Sequence, residues 1–283
     1  MVGRAVDAPQ RRPTRHVGDA VCVLDRVDTA GSGHDRLRDV SLTLHAGEIV
    51  AVAGVSGNGQ VALAELLSGT RRAVGGSVRL MDRALPPSPA ALVARGVARI
   101  PEDRHAVGVI GDLPVWENAV SERLRSADFS RWTPLASLGL RWIRRAAART
   151  HARRVEKAYD VRGAGLDRPA RALSGGNMQK LILGRALMTP VDDGGAANRR
   201  RAPRLIVAHQ PTWGLDIGAV AYVQSQLVAA RDAGAAVLVI SDDLDEVLAL
   251  GDRIAVMHGG HLGEPRPAAN WSREQIGLAM AGA

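Results

Sequence analysis

The sequence predicts an α/β fold that is interrupted by an inserted helical segment. Short apolar runs of strand character alternate with helical patterns before residue 105 and again after residue 173. The stretch between them is arginine-rich and helical in pattern. A glycine-rich turn joins one apolar run to a helix, which is typical of a strand–loop–helix unit. Hydrophobic residues make up 46% of the 283 residues, enough to bury a sizeable core.

The predicted elements follow one another as alternating strands and helices. In the first half, strands are predicted at residues 21–27, 40–44, 49–53, 77–81 and 97–100, and helices at 61–67 and 89–95. In the second half, helices are predicted at residues 177–188, 219–231 and 243–250, and strands at 205–208, 236–240 and 253–257. The polar, glycine-rich stretch 191–203 is predicted to be an exposed loop.

The composition excludes several classes of protein. Cys22 is the only cysteine, which excludes a disulfide framework and a cysteine-based zinc site, and no metal site is predicted. Five tryptophans, two tyrosines and one phenylalanine are too few for stacking platforms on single-stranded nucleic acid. No apolar run approaches the roughly 18–20 residues that a membrane span needs. The N-terminus has no apolar core behind its arginines and is not expected to be a secretory signal.

The net charge of +8 has two interpretations. There are 37 Lys+Arg against 29 Asp+Glu, and every basic residue except Lys157 and Lys180 is an arginine. A chain this basic is compatible with binding to nucleic acid. Because the arginines are scattered, however, the sequence favours a basic surface that faces acidic lipid or a partner.

A glycine loop after the strand at 49–53 is a candidate phosphate site. A phosphate-binding loop has the form G-x-x-x-x-G-K-[ST], whose backbone N–H groups and helix N-terminus hold the phosphates. Here Gln60 stands in the lysine position and Val61 in that of the magnesium-binding hydroxyl, so efficient hydrolysis is not expected. A simple tight turn is an equally good interpretation of the loop alone. The candidate nucleotide-contacting residues are Gly54, Gly57, Asn58, Gly59, Gln60 and Val61.

A second candidate anion site is the sequence LSGGN. Ser174, Gly175, Gly176 and Asn177 place a hydroxyl, two glycines and an amide at the start of a predicted helix. Such an N-terminus attracts anions, and the hydroxyl could meet a γ-phosphate. On these residues alone, an ordinary serine N-cap is the simpler interpretation.

The order of the motifs resembles that of the ATP-binding cassette (ABC) ATPases. About 120 residues separate the glycine loop from LSGGN, the family's signature, and roughly 30 more lead to LIVAHQPTWGLD. The resemblance implies a P-loop NTPase-type ABC nucleotide-binding domain at residues 20–265, with an inserted α-helical subdomain at about 105–173. Residues 1–19 are then a flexible lead-in or linker, and residues 266–283 a C-terminal tail or helix.

The resemblance also assigns roles to residues, and several of them depart from the family pattern. His209 and Gln210 stand where the family has the aspartate that supports magnesium and the glutamate that activates water, and Asp242 stands in place of the switch histidine. Loss of a general base typically costs on the order of 10²–10⁴ in rate. Asp216, in the family's D-loop, is retained.

These departures imply a cassette that completes the ATP site of a partner while its own site is weakly active or inactive. GVSGNGQ, PEDRHAVGV and QPTWGLD resemble the second cassette of bacterial importers for nucleosides and simple sugars. The resemblance implies ATP, with magnesium mainly at the partner's site. It also implies an intact cassette, two membrane permease subunits and a substrate-binding protein as partners, no nucleic acid, and a peripheral location on the cytoplasmic face of the plasma membrane.

Other interpretations of the chain stay open. It could be a soluble ABC protein that acts on ribosomes or nucleic acid, for which the charge is the only support. It could also be a vestigial remnant, against which the retained signature argues. A single cassette is compatible with half of a split system or with a truncated gene product.

Overall fold

The computed structural model describes residues 17–86, 88–134, 136–163, 165–190 and 202–282. It divides the chain into two compact units. The described residues within 1–92, 97–102 and 203–283 form the first unit, and those within 93–96 and 103–202 form the second. Most of the expected lead-in at residues 1–19 lies outside the described residues, which begin at residue 17. Most of the expected loop at residues 191–203 also lies outside them, because description resumes at residue 202.

The first unit is built on a mainly parallel sheet. Its strands are β3 (Ile49–Ala53), β6 (Val97–Ile100), β9 (Leu205–His209), β10 (Ala236–Ser241), β11 (Arg253–His258), β12 (His261–Leu262) and β13 (Arg266–Pro267). The order is β12-β11-β3-β10-β9-β6, with β13 paired to β11. Every residue of β3, β9 and β10 is buried. These strands are apolar except for His209 and Ser241 at the carboxyl ends of β9 and β10, because a parallel sheet is covered on both faces.

A smaller antiparallel sheet completes the strands of this unit. It contains β1 (Ala20–Thr29), β2 (Val40–His45), β4 (Ala73–Leu80) and β5 (Arg83–Ala84), in the order β2-β1-β4-β5. Its buried side chains, among them Leu24, Leu42 and Leu44, join the same hydrophobic core as helix α1 (Gln60–Ser68) and the parallel sheet. Cys22 is fully buried in this core, which raises the pKa of its thiol to about 12.

The helices of the first unit connect the parallel strands. They are α1 (Gln60–Ser68), α2 (Pro89–Ala94, which ends in the second unit), α6 (Ile217–Asp232), α7 (Leu244–Leu250) and α8 (Arg273–Ala281). Helix α8 has a capping box formed by Ser272 and Gln275. Its buried residues Ile276 and Met280 pack in a cluster with Ile254 of β11. The expected tail at 266–283 is thus a strand and a helix of the same unit as the sheet.

The second unit is mixed, whereas the sequence predicted a purely helical insert. Its helices are α3 (Val115–Asn118), α4 (Arg145–Ala158) and α5 (Gly175–Leu187), with a π-helical turn at Arg104–Gly108. Two short strands, β7 (Ser130–Trp132) and β8 (Arg141–Ile143), form an antiparallel hairpin. The helical prediction was wrong at β8. Trp142 and Ile143 favour strands, and helix α4 begins only at Arg145.

Helices α4 and α5 pack closely within the second unit. Gly184 of α5 faces Val155 of α4, and a Cβ placed on Gly184 would lie 2.4 Å from Val155 Cγ1. Ala148 and Ala152 of α4 are also buried. Small residues therefore set the separation of the two helices, and α5 carries LSGGN at its N-terminus.

The α/β fold predicted from the alternating pattern is confirmed. The strands predicted at residues 49–53 and 97–100 have those bounds in the structure, and the other strands and helices outside the insert differ by a few residues at their ends. Among the described residues, the helices are too short or too polar to cross a bilayer.

Candidate functional site

The candidate phosphate loop lies at the carboxyl edge of the parallel sheet. It follows β3, while Gln210 follows β9 and Asp242 follows β10. Strand β10 pairs in parallel with both β3 and β9, so the three strand ends meet at one edge. Ligands of open α/β sheets bind at such an edge. The structure thus brings together Gly54, Gly57, Asn58, Gly59, Gln60, Val61, His209, Gln210 and Asp242.

The side chain of Gln60 folds back into the loop. Its Nε2 donates to the carbonyl oxygen of Val55 over 2.7 Å, and its Oε1 accepts from the backbone N–H of Asn58 over 3.0 Å. Gln60 is only 5% exposed, and a Cβ on Gly54 would lie 2.6 Å from Nε2. The amide therefore fills space inside the loop and uses one of the N–H groups that would otherwise point at a phosphate.

Asn58 fixes the same loop to the turn after β11. Its Oδ1 accepts from the backbone N–H of Gly259 over 3.0 Å, and its carbonyl oxygen accepts from Gly260 N–H over 2.9 Å. Gly59, the N-cap of α1, has a φ of 110°, in the region that favours glycine. These hydrogen bonds join the glycine loop to the turn after β11.

Val61 offers no group to a metal ion at the start of α1. It is 38% exposed and carries only methyl groups where a hydroxyl is expected in a phosphate-binding loop. Within the described part of the chain, no group of three or more histidine, cysteine, aspartate or glutamate side chains is placed to hold a metal.

His209 is packed at the end of β9. Its Nε2 lies 3.5 Å from Oε2 of Glu102, which comes shortly after the neighbouring strand β6. Burial lowers the pKa of His209, and the nearby carboxylate of Glu102 opposes this shift only in part. The neutral imidazole is therefore the favoured form at neutral pH. The proximity of His209 and Glu102 could have been predicted, because the parallel neighbouring strands β6 and β9 end at the same edge of the sheet.

Gln210 has a backbone conformation that is uncommon for residues other than glycine. Its φ is 48°, and the residue is 8% exposed. The side-chain Oε1 lies 3.4 Å from both Ser241 Oγ and the backbone nitrogen of Asp242, at the end of β10. The carboxylate of Asp242 is exposed and lies 3.5 Å from Ser56 Oγ of the glycine loop. The amide of Gln210 can orient a water molecule but has no basic site to take its proton.

A buried carboxyl group beside Gln210 was not identified from the sequence. Glu246 of α7 is 2% exposed, and its Oε1 accepts from Thr212 Oγ1 over 2.8 Å. Burial raises the pKa of Glu246, and the hydrogen bonds from Ser241 and Thr212, which lower it, offset this shift only in part. The contact holds the segment after Gln210 to α7. Sequence patterns do not indicate this contact, because Glu246 lies in a run of acidic residues typical of an exposed helix start.

Asp216 has a local structural role. Its Oδ1 accepts from the backbone N–H of Ala219 over 2.9 Å, which makes it the N-cap of α6. The preceding Gly214 has a φ of 64° and turns the chain toward the helix. Ile217, directly after Asp216, is 82% exposed.

The LSGGN residues lie in the second unit, at the N-terminus of α5. Ser174 is exposed and caps the helix, and Asn177 Nδ2 donates to Ser174 Oγ over 2.9 Å. Asn177 Oδ1 accepts from the backbone N–H of Arg162 over 2.8 Å, so the amide is held from both sides. The N–H groups of Gly175 and Gly176 belong to the first helical turn and have no intrahelical acceptor. The structure therefore combines the two interpretations of Ser174, a helix cap at an N-terminus that can receive an anion.

The fold and these loops define a nucleotide-binding domain of the P-loop type, with a glycine loop between a buried parallel strand and a helix. Residues 37–192 match the ABC transporter family. The chain belongs to this family, and the ABC cassette fold expected from the motifs is confirmed.

Curated relatives match the whole chain. The guanosine import ATP-binding protein NupO of Bacillus subtilis is 36% identical over 284 residues, covering 100% of this chain and 52% of NupO. The nucleoside import ATP-binding protein NupA of Lactococcus lactis is 34% identical, with 100% and 52% covered. The glucose import ATP-binding protein TsgD13 of Haloferax volcanii is 37% identical, with 100% and 48% covered. The chain spans about half the length of these relatives.

Solved structures support the fold. A nucleotide-free ATP-binding cassette from an ABC transporter superposes with a TM-score of 0.68 at 22% identity, covering 93% of this chain and 96% of that one. An ATP-binding subunit of an ABC transporter gives a TM-score of 0.67 at 17% identity, with 92% and 99% covered.

Proposed function

We propose that the chain is an ATP-binding part of an importer for nucleosides or simple sugars and that it completes the ATP site of a partner cassette. The names of the relatives support the importer and its solutes. The partners are an intact cassette, two membrane permease subunits and, through them, a substrate-binding protein. The complex lies on the cytoplasmic face of the plasma membrane, with this chain peripheral to it.

The observation that carries this proposal is the contrast between the two anion sites. In the glycine loop, the amide of Gln60 fills the interior and bonds to Val55 and Asn58. At the start of α5, Ser174 is exposed and caps the helix, and Gly175 and Gly176 are partly exposed in its first turn. The chain therefore has one site closed by its own side chain and one that is open to a ligand from outside.

The open site has the groups that a triphosphate needs. Ser174 Oγ and the N–H groups of Gly175 and Gly176 would meet the terminal phosphate of ATP held by the partner, with the positive end of the helix dipole behind them. Asn177 would keep Ser174 in place through the hydrogen bond between Nδ2 and Oγ. Magnesium would be held mainly by the partner, because Val61 provides no hydroxyl and His209 no carboxylate at the two positions that would support the ion here.

The weakness of the chain's own site follows from three positions. Gln60 lacks the positive charge of a lysine, and a hydrogen bond from a charged donor contributes about 1.5–3 kcal/mol. Gln210 cannot accept the proton of an attacking water, and Asp242 replaces the switch histidine with a negative charge. Hydrolysis at this site is therefore expected to be slow or absent.

Phosphate release by the purified chain tests the proposal. The chain alone should release phosphate from ATP at the background rate, and turnover should appear when an intact cassette and the permease subunits are added. Brisk hydrolysis by the chain alone would contradict the proposal. An added cassette that lacks its own catalytic glutamate is the matched control and should give no turnover in the same complex.

A further inference from the structure

The β7–β8 hairpin belongs to the most basic part of the chain. Between Asp128 and Glu156 the sequence contains seven arginines and no acidic residue. Two of the five tryptophans of the chain, Trp132 and Trp142, lie in the two strands of this hairpin. Neither the ATP sites nor the proposed partner cassette explains this concentration of arginine and tryptophan.

Each face of the hairpin carries a tryptophan opposite an arginine. Trp132 pairs with Arg141 across the strands, and Arg131 pairs with Trp142. Because side chains alternate along a strand, these two pairs lie on opposite faces. The Arg141 guanidinium lies 4.3 Å from the centre of the Trp132 ring, a distance at which the cation and the ring attract each other.

The apolar side chains of the hairpin are exposed. Trp132 is 58% exposed and Trp142 is 60% exposed. Leu138 and Leu140, which precede β8, are 71% and 50% exposed, and Ile143, opposite Ser130 at the end of β8, is 48% exposed. Exposed groups of large apolar residues mark a surface that meets another apolar phase or partner.

The hairpin is attached firmly to the second unit. Phe129, at its base, is 2% exposed and packs against His151 of α4 with ring centroids 5.2 Å apart. The backbone N–H of Arg144 donates to the carbonyl oxygen of Phe129 over 2.8 Å, and Arg141 Nε donates to Ser130 Oγ over 2.8 Å. The tryptophans and arginines are therefore presented on an ordered support.

We propose that the two strands of the β7–β8 hairpin, with Leu138, Leu140 and the adjoining start of α4, bind the headgroup region of an anionic lipid membrane. Tryptophan rings prefer the boundary between headgroups and acyl chains, and the aliphatic side chains of Leu138 and Ile143 enter the same layer. The arginines attract the negative surface of the cytoplasmic leaflet. Charge complementarity selects anionic over neutral lipid, and exposed aliphatic side chains favour lipid over nucleic acid, whose bases stack on flat rings.

Vesicle sedimentation with the full chain tests this proposal. Vesicles that contain phosphatidylglycerol should carry the chain into the pellet, whereas vesicles of phosphatidylcholine alone should not. Binding should weaken as the salt concentration rises to about 0.5 M, where the screening length is only a few ångströms. Equal binding to both vesicles, or no binding to either, would overturn the proposal.

Two double variants separate the apolar and the charged contributions. Arg131→Glu/Arg145→Glu should weaken binding to anionic vesicles by at least about tenfold, because each basic residue near the surface contributes a factor of roughly five. Glu at position 145 suits the first turn of α4, so the variant is expected to fold. Trp132→Ser/Trp142→Ser should reduce binding by a similar factor. Arg72→Glu/Arg83→Glu, exposed in the first unit, is the matched control and should reduce binding less than twofold.

Tryptophan fluorescence locates the contact. Anionic vesicles should shift the emission to shorter wavelength, and the shift should be lost in Trp132→Phe/Trp142→Phe but kept in Trp213→Phe, whose ring is also exposed. A shift that survives in the hairpin variant would place the contact elsewhere and overturn the proposal. Binding of a single-stranded RNA that depends on Arg131 and Arg145, without vesicle binding, would assign the surface to nucleic acid and overturn it too.

Discussion

Gln60 and Val55 are joined by a hydrogen bond of 2.7 Å from the side-chain amide to a carbonyl oxygen of the glycine loop. The same amide accepts from Asn58 N–H, so the loop supplies both partners of one buried side chain. A lysine at this position would carry a positively charged amino group that can bind a phosphate. The neutral amide of Gln60 instead has both its donor and its acceptor hydrogen-bonded within the loop. The closed loop follows from one substitution within an otherwise retained glycine frame.

Restoring the phosphate-binding pattern should open this loop to nucleotide. Gln60→Lys/Val61→Ser should raise the affinity of the isolated chain for a fluorescent ATP analogue by at least about tenfold, since a charged hydrogen bond to phosphate is worth about 1.5–3 kcal/mol. Gln60→Met removes the amide without adding charge and should change the affinity by less than about threefold. An unchanged affinity in the double variant would mean that Gln60 does not close the site.

Gly184 should tolerate no added methyl group. A Cβ there would lie 2.4 Å from Val155 Cγ1 and 3.1 Å from Tyr159 Cδ2, so Gly184→Ala should lower the free energy of unfolding by about 1–3 kcal/mol. Gly277→Ala, in α8, meets nothing within 4 Å and should raise it by about 0.5–1 kcal/mol. Urea denaturation of the two variants measures whether the free energy of unfolding falls in the first and rises in the second. Equal effects would show that α4 and α5 are not in close contact at Gly184.

His151 should make the chain less stable in mild acid. Burial, with the nearby charges of Arg123 and Arg154, lowers the pKa of His151 to about 4. In the unfolded chain this histidine is protonated below about pH 6.5, whereas in the folded chain it stays neutral down to about pH 4. The free energy of unfolding therefore falls as the pH is lowered from about 6.5 to about 4.

The resulting loss between pH 7 and pH 5 should be about 2 kcal/mol in the free energy of unfolding, measured with urea at each pH. His151→Leu removes the titrating group and should reduce this loss by that amount. His34→Gln, in an exposed loop, is the matched control and should leave the loss as it is in the wild-type chain. The same pH dependence in His151→Leu as in the wild-type chain would assign the effect to other groups.

The buried strands could be predicted closely from the sequence because they are mostly apolar and end at clear boundaries. Ile49–Ala53 is an uninterrupted apolar run between Glu48 and Gly54, and Val97–Ile100, between Gly96 and Pro101, is apolar except for Arg99. The hairpin of Trp132 and Trp142 was missed because it is short and exposed, so no buried face imposes a period of two.

The candidate site was predictable as a set of positions and not as a set of contacts. Parallel strands bring the glycine loop, His209 and Asp242 to one edge, and the order of motifs identified all of them. The fold-back of Gln60 onto Val55 depends on side-chain torsions, and the contact of Thr212 with Glu246 joins residues 34 positions apart. Neither leaves a periodic signal in the sequence.

The contribution of Ser174 to a partner's ATP is the central claim, and ATP turnover by the assembled complex tests it most directly. Ser174→Arg should reduce turnover by about 10²–10³-fold, the usual cost of removing a preorganised donor, while Gln60→Ala should change it by less than about twofold. Ser272→Arg, at the cap of α8, is the matched control and should leave turnover near the wild-type rate. Equal losses in Ser174→Arg and Gln60→Ala would contradict the account.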